Sequence, residues 1–194
     1  MKKNLTFIYG GCRSGKTNFA ISLAKRYNTV AYIATAQSRD QEMGDRIKKH
    51  RKTRPANWLT VEEPLNLATT LGKLSEKKIE VAVLDCLTLY LSNFIEAALM
   101  NLKNSLPTQP INNSTPQLPF TEENIRQEIN KLITSINDLN YDLIIISNEV
   151  GLGIVPENSL ARFYRDQSGW MNQAIAKKAT TVYKMEVGIG VKIK

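Results

Sequence analysis

The chain has 194 residues, of which 42% are hydrophobic and 7% aromatic, and it carries a net charge of +8. That length suits one domain with a sizeable core, and the composition is that of a globular protein. No run approaches a membrane span, and the apolar run after Asn4 is too short for a signal peptide. The two cysteines, Cys12 and Cys86, make no disulfide framework, so a cytoplasmic home is expected.

Residues 5–9 read as a buried strand and residues 18–26 as a helix, from their apolar spacing. Between them lies Gly10-Gly11-Cys12-Arg13-Ser14-Gly15-Lys16-Thr17, the phosphate-loop pattern of Gly, four residues, then Gly-Lys-Thr. The glycines let successive N–H groups turn inward, and the helix N-terminus adds positive potential. Lys16 is then expected on the β- and γ-phosphates and the Thr17 hydroxyl on Mg²⁺. The alternative is a glycine-rich strand-to-helix turn with no ligand.

Residues 29–35 read as a second strand and 40–52 as a helix with Asp40 as N-cap. Met43, Ile47 and His50 fall at i, i+4 and i+7, a single stripe that should face the body of the protein. Arg54-Pro55 ends this helix. Residues 58–61 make a short strand, and Pro64 can occupy the first turn of a helix through Leu65, Leu67, Ala68, Leu71 and Leu74. Residues 80–85 form a continuous apolar run ending in Asp85, the signature of a buried parallel strand with an acid at its carboxyl end. In phosphate-loop enzymes such an acid helps hold Mg²⁺, although many buried strands end in Asp.

A strongly apolar helix follows over 87–102. Residues 104–120 hold Pro107, Pro110, Pro116 and Pro119 among Asn, Ser, Thr and Gln, and read as an insertion within one domain. A helix resumes at Thr121, with Glu122 and Glu123 in its first turn and Ile125, Ile129, Leu132, Ile133 and Ile136 along one face. Residues 142–147 are another buried strand, 148–156 a glycine-containing loop and 157–179 a long helix with Arg162, Arg165 and Asp166. Residues 181–194 suggest a terminal antiparallel hairpin around Gly188-Ile189-Gly190. The alternation predicts an α/β fold with a mainly parallel sheet. The residues alone reach a nucleoside-triphosphate enzyme using Mg²⁺: a kinase, a nucleotidyl transferase or a motor ATPase.

Further blocks narrow this. They are Tyr32-Ile33-Ala34-Thr35-Ala36-Gln37, Asp45-Arg46-Ile47-Lys48-Lys49-His50-Arg51, Arg54-Pro55, Thr60-Val61-Glu62-Glu63-Pro64, Asp85-Cys86-Leu87-Thr88, Ser147-Asn148-Glu149-Val150-Gly151 and Gly153-Ile154-Val155-Pro156-Glu157-Asn158. With the phosphate loop, they resemble the bifunctional adenosylcobinamide kinase / adenosylcobinamide-phosphate guanylyltransferase family of cobalamin biosynthesis. The resemblance spans nearly the whole chain outside 104–120. It implies a RecA-like P-loop fold, a homotrimer and two reactions. A triphosphate, ATP or GTP, phosphorylates the aminopropanol hydroxyl of adenosylcobinamide. GTP then transfers GMP to adenosylcobinamide phosphate through a guanylylated histidine, which matches His50. It also implies nucleotide contacts in the phosphate loop, at Thr35, Ala36 and Gln37, at Arg51, Lys52, Thr53 and Arg54, at Glu63 and at Asp85. Two departures stand out: Cys12 replaces the alanine common at its place, and the 104–120 insertion is long but touches no motif.

The local chemistry can be weighed beside that resemblance. His50 is the chain's only histidine. Imidazole offers an unprotonated ring nitrogen at neutral pH, and surrounding cations offset a triphosphate's charge. The other reading is a packed structural histidine. In the basic run, Arg46, Lys48 and Lys49 are expected in solvent, whereas Arg51 and Arg54 suit phosphate because Arg forks onto its oxygens. Glu149 reads as a ligand for Mg²⁺ or substrate, or as a loop acid accepting backbone hydrogen bonds. Arg162 and Arg165 read as partners of Asp166 or of substrate phosphate. The rivals are a small-molecule kinase lacking transferase activity and a RecA-like nucleic-acid ATPase. The charge mildly favours the latter. No aromatic-rich basic strand or DNA-binding motif supports it, so no nucleic-acid partner is expected.

Overall fold

The computed structural model describes residues 3–105 and 122–194. In chain order it contains β1 (Leu5–Gly10), α1 (Lys16–Ala24), β2 (Val30–Ala34), α2 (Gln41–Lys52), β3 (Leu59–Glu62), α3 (Leu67–Ser75) and β4 (Val81–Asp85). Then come α4 (Leu87–Ser105), α5 (Glu122–Asn137), β5 (Asp142–Asn148), α6 (Ser159–Lys178), β6 (Thr181–Glu186) and β7 (Ile189–Lys192). The predicted insertion lies almost wholly outside the described residues, as does the expected cap at Thr121. Among the described residues, no helix is long and apolar enough to cross a membrane.

All seven strands join one sheet in the order β3-β2-β4-β5-β1-β6-β7. β1 to β6 pair in parallel, and β6 and β7 form the expected antiparallel hairpin. β5 separates the phosphate-loop strand from the strand that carries Asp85. Successive strand side chains point to opposite faces, and both faces are covered. Phe7, Ile33, Leu84 and Ile145 pack against α3, α4, α5 and α6. Ile8, Tyr32, Val83 and Ile146 pack on the other face, against Ala20, Ile21 and Ala24 of α1. Double coverage is why β2 and β4 read as unbroken apolar runs.

Two boundaries differ from the sequence expectation. α3 begins at Leu67 rather than at Pro64. The reason is the Glu63 carboxylate, which accepts the backbone N–H groups of Leu65 (2.9 Å) and Asn66 (2.7 Å) and so holds these residues in a turn. The last long helix begins at Ser159, because Asn158 caps it by accepting from the Ala161 N–H at 3.0 Å. The Asp40 cap is as expected: its Oδ1 accepts from the Met43 N–H at 2.7 Å.

Candidate active site

The carboxyl ends of six parallel strands meet along one edge, where open α/β sheets bind ligands. β1 delivers Gly10 there and α1 starts at Lys16, so residues 10–15 form the turn. Arg13 (φ 56°) and Gly15 (φ 92°) are left-handed, which curls the backbone around its own N–H groups. The β6–β7 hairpin forms the back wall. A Cβ on Gly10 would lie 2.6 Å from the Met185 carbonyl oxygen, and one on Gly15 would lie 3.1 Å from the Gly188 Cα. The Gly188 N–H donates to the Ser14 carbonyl at 3.1 Å. Lys16 is 7% exposed. Its ammonium donates to the carbonyls of Gly10 (3.0 Å) and Gly11 (2.5 Å) and to the Ser14 hydroxyl (3.4 Å), which draws it back over the loop.

Asp85 ends β4 beside this loop. Its Oδ2 accepts from the Thr17 hydroxyl at 3.1 Å and from the Tyr32 phenol. Burial, then the Asp85 charge, pushes the Tyr32 phenol far above its ordinary value, so it stays a donor. Thr17 and Asp85 supply hard oxygen donors. Mg²⁺ is usually held by one or two protein oxygens together with waters and substrate phosphates, so this pair fits such an ion. Among the described residues, no group of three or more His, Cys, Asp or Glu is placed to cage a metal. Glu149 accepts the Gly151 N–H at 2.6 Å on Oε1, as a loop acid would, and it also lines the cleft.

A cleft of about 520 Å³ opens over the loop. Of the residues expected at the site, Cys12, Arg13, Ser14, Gly15, Lys16, Thr17, Ala36, His50, Arg54 and Asp85 line it. Met43 and Ile47 line it too, so the α2 stripe faces inward and brings His50 to the phosphate loop across the 32 residues between Thr17 and His50. The Thr53 hydroxyl donates to the His50 carbonyl at 2.8 Å, which ties down the end of α2 without using the imidazole. The basic last turn of α2 is itself favourable against the helix dipole. The Arg54 guanidinium lies 3.8 Å from the centroid of the Tyr32 ring.

The remaining expected residues stand around the cleft and do not line it. Gly10 and Gly11 offer carbonyls to Lys16. Thr35 is wholly buried, and its hydroxyl donates to the Cys86 carbonyl and accepts from the Cys86 N–H, both at 2.8 Å. Gln37 accepts from Arg39 at 3.1 Å. Arg51 pairs with Glu62 at 2.9 Å, and Lys52 is exposed. Glu63 organises the start of α3, with Thr70 as a third donor at 3.1 Å. Burial raises its pKa, but the N–H groups of Asn66 and Leu65 and the Thr70 hydroxyl outweigh this, leaving a net lowering. Of the residues expected in solvent, Lys48 and Lys49 are exposed, while the Arg46 side chain is not among the described ones. Cys86 is buried, and burial lifts its thiol to about 11, so it stays protonated.

Among the described residues, neither Arg162 nor Arg165 forms an ion pair with Asp166; both hold loop carbonyls instead. Arg162 donates to the carbonyls of Pro156 (2.9 Å) and Glu157 (2.6 Å), and Arg165 to those of Gly151 (2.7 Å) and Ile154 (3.3 Å). Both fasten the loop after β5, whose orphan carbonyls need donors. Sequence reading also missed Tyr32 as the partner of Asp85 and Asn93 as a strut. The Asn93 amide donates to the carbonyls of Thr35 (2.8 Å) and Pro64 (3.2 Å). For Tyr32 a signal existed: a phenol inside an otherwise apolar buried strand needs a hydrogen-bond partner. For Asn93, in the second turn of an apolar helix, the sequence offers nothing more specific.

The class follows from where the loop sits. A phosphate loop between the first strand and first helix, at the carboxyl edge of a mainly parallel, helix-flanked sheet, makes this a P-loop nucleotide-binding fold. Residues 6–193 match the cobinamide kinase / cobinamide phosphate guanyltransferase family, and the chain belongs to it. It is 39% identical over 188 residues to the bifunctional adenosylcobalamin biosynthesis protein CobP of Pseudomonas aeruginosa, covering 96% of this chain and 95% of that one. It is 36% identical over 190 residues to the bifunctional adenosylcobalamin biosynthesis protein CobU of Escherichia coli, covering 98% and 99%. A solved RadB recombinase aligns with a TM-score of 0.42 at 12% identity, covering 94% of this chain and 74% of that one.

Proposed function

We propose that this protein phosphorylates the aminopropanol hydroxyl of adenosylcobinamide and then guanylylates the resulting phosphate, as one cytoplasmic nucleotide-binding domain assembled into a homotrimer. The observation that carries this reading is that His50 and the phosphate loop line one cleft. A kinase needs only the loop. A nucleophilic histidine facing the same triphosphate is what a covalent nucleotidyl transfer requires.

In the guanylyl-transfer step, a ring nitrogen of His50 attacks the α-phosphorus of GTP. The bond to the bridging oxygen breaks and pyrophosphate leaves, giving a phosphoramidate on His50. A phosphate oxygen of adenosylcobinamide phosphate then displaces the imidazole and forms adenosylcobinamide-GDP. In the kinase step the substrate hydroxyl attacks the γ-phosphorus of ATP or GTP, the bond to the β–γ bridging oxygen breaks, ADP or GDP leaves, and the hydroxyl proton is released to water. The loop N–H groups and the Lys16 ammonium face the charge that develops on the phosphate oxygens, exchanging the loop carbonyls for them. Arg54 adds a second cation on the histidine side of the cleft. Thr17 and Asp85 would hold Mg²⁺, which supplies charge neutralisation along the phosphates. Exposed apolar side chains at Val187, Ile189 and Val191 on the hairpin support an assembled state.

Intact mass after incubation with GTP and Mg²⁺ tests the covalent step. One guanylyl group is expected per chain, labile in acid and stable in base, and absent from His50→Asn. Phosphorylation of adenosylcobinamide by that variant should persist. A labelled His50→Asn protein contradicts the assignment.

A further inference from the structure

Tyr32 lies inside β2, wholly buried in a cluster with Val30, Ala34, Trp58 and Val83. β2 and β4 pair with Tyr32 opposite Val83 and Ala34 opposite Asp85, so Tyr32 and Asp85 share a face two residues apart along the ladder. The phenol donates to Asp85 Oδ2, the same oxygen that accepts from Thr17. Neither bond falls on Oδ1. The Tyr32 ring also carries the Arg54 guanidinium, 3.8 Å from its centroid, and stacks on Trp58 at 6.4 Å between centroids. Arg54 Nε is buried with no hydrogen-bond partner among the described residues, so the aromatic face takes the place of one. Asp85 reaches the cleft from β4, and Arg54 reaches it from the turn just after the helix of His50. One uncharged side chain thus touches two groups of opposite charge that enter the cleft from different elements.

We propose that Tyr32 is a positioning residue for the nucleotide site: its hydroxyl sets the rotation of the Asp85 carboxylate, and its ring face sets Arg54 and the chain after His50. The proposal rests on the reading of this cleft as a GTP site. A carboxylate loaded on Oδ2 by two donors presents Oδ1 in a fixed direction, the property a metal-side acid needs. A guanidinium held over a ring face at 3.8 Å is anchored through its carbon centre, which leaves its N–H groups to fork onto phosphate.

The two contacts separate by substitution, read as GTP affinity by calorimetry with EDTA or with Mg²⁺. Tyr32→Phe keeps the ring and removes the hydroxyl. Its metal-free affinity should stay within about twofold of wild type, whereas the gain in affinity that Mg²⁺ brings should shrink about tenfold. Tyr32→Leu removes the ring as well, so metal-free affinity should also fall about tenfold. Arg54→Ala should lose a similar amount, and the pair of changes should lose little more than either alone. Because Tyr32→Leu opens a buried site, the Phe variant and the double-mutant cycle carry the test, each with its folding checked by circular dichroism. A Tyr32→Phe protein with the wild-type Mg²⁺ response, or losses at Tyr32 and Arg54 that simply add, overturns the positioning role. Wild type that binds GTP with no gain from Mg²⁺ overturns it alone. Wild type that binds no GTP in either condition overturns the nucleotide reading together with it.

Discussion

Lys16 shows how one residue serves both structure and chemistry. Its ammonium is held by two carbonyls and a hydroxyl of its own loop, so it steadies the turn as well as charging it. Lys16→Ala should therefore lose about 10²–10³-fold in both phosphoryl and guanylyl transfer, the scale of removing one preorganised electrostatic group. Circular dichroism should show the fold retained, and steady-state assays of both steps check the loss. Normal rates in a folded variant would contradict the role. The phosphate loop was legible in the sequence because its chemistry needs eight contiguous residues at set spacing. The Tyr32–Asp85 bond was not, because it joins residues 53 apart whose meeting depends on which strands become neighbours.

At the scale of elements, the terminal hairpin matters because it closes the back of the loop. Val187 (φ 43°) and Gly188 (φ 89°) make its two-residue turn, and the matching twist of such turns suits the antiparallel pair. Gly190 faces the ring of Phe19 on α1, and a Cβ there would lie 2.6 Å from the ring edge. Gly190→Val should destabilise the protein by about 1–3 kcal/mol through overpacking. It should also weaken GTP binding, since the shift passes through Gly188 to the Ser14 carbonyl. Gly72 is the contrast: it is exposed within α3, with nothing within 4 Å of an added Cβ. Gly72→Ala should stabilise by about 0.5–1 kcal/mol and leave binding unchanged. Thermal unfolding of the two variants, paired with GTP titration, reads both effects. The α2 stripe was legible because Met43, Ile47 and His50 follow the helical period. The start of α3 was misjudged because a side chain, Glu63, took the N–H groups that Pro64 would otherwise have led into a helix.

Across the whole molecule, the Asp142 carboxylate ties distant parts of the chain. Asp142 at the start of β5 accepts from the Asn4 backbone (2.9 Å), the Asn4 amide (3.3 Å) and the Tyr27 hydroxyl (2.8 Å). Burial raises its pKa, but these bonds outweigh that, and it is lowered like Glu63. A lowered folded pKa means the unfolded chain binds more protons in acid. The stabilisation is therefore present above the ordinary carboxylate values and lost as pH falls through the folded ones. Thermal midpoints should fall between about pH 6 and about pH 3.5, and Asp142→Asn should reduce that fall while lowering the midpoint at neutral pH. An unchanged pH dependence in Asp142→Asn would show that the carboxylate contributes nothing to the acid limb. The same group pushes the Tyr27 hydroxyl, already raised by burial, up to about 12. Acid titration thus loosens the joint between Asn4 and β5 through Asp142 alone, while the Tyr27 hydroxyl stays protonated.

The sequence by itself determined what depends on neighbours along the chain. The phosphate loop, the apolar strands, the inward stripe of α2 and the family were all readable, because each is encoded in contiguous residues or a short period. Tertiary structure alone decided what depends on strand order. β5 inserts between β1 and β4, β6 lies on the other side of β1, and the hairpin closes behind the loop. Parallel pairings of this kind are made between segments far apart in sequence, and apolar runs of similar character do not specify which pairs with which. That order sets which polar side chains meet: Tyr32 with Asp85, Thr35 with the Cys86 backbone, and Asn93 with two loops. It also sets Arg162 and Arg165 on the carbonyls of the loop after β5.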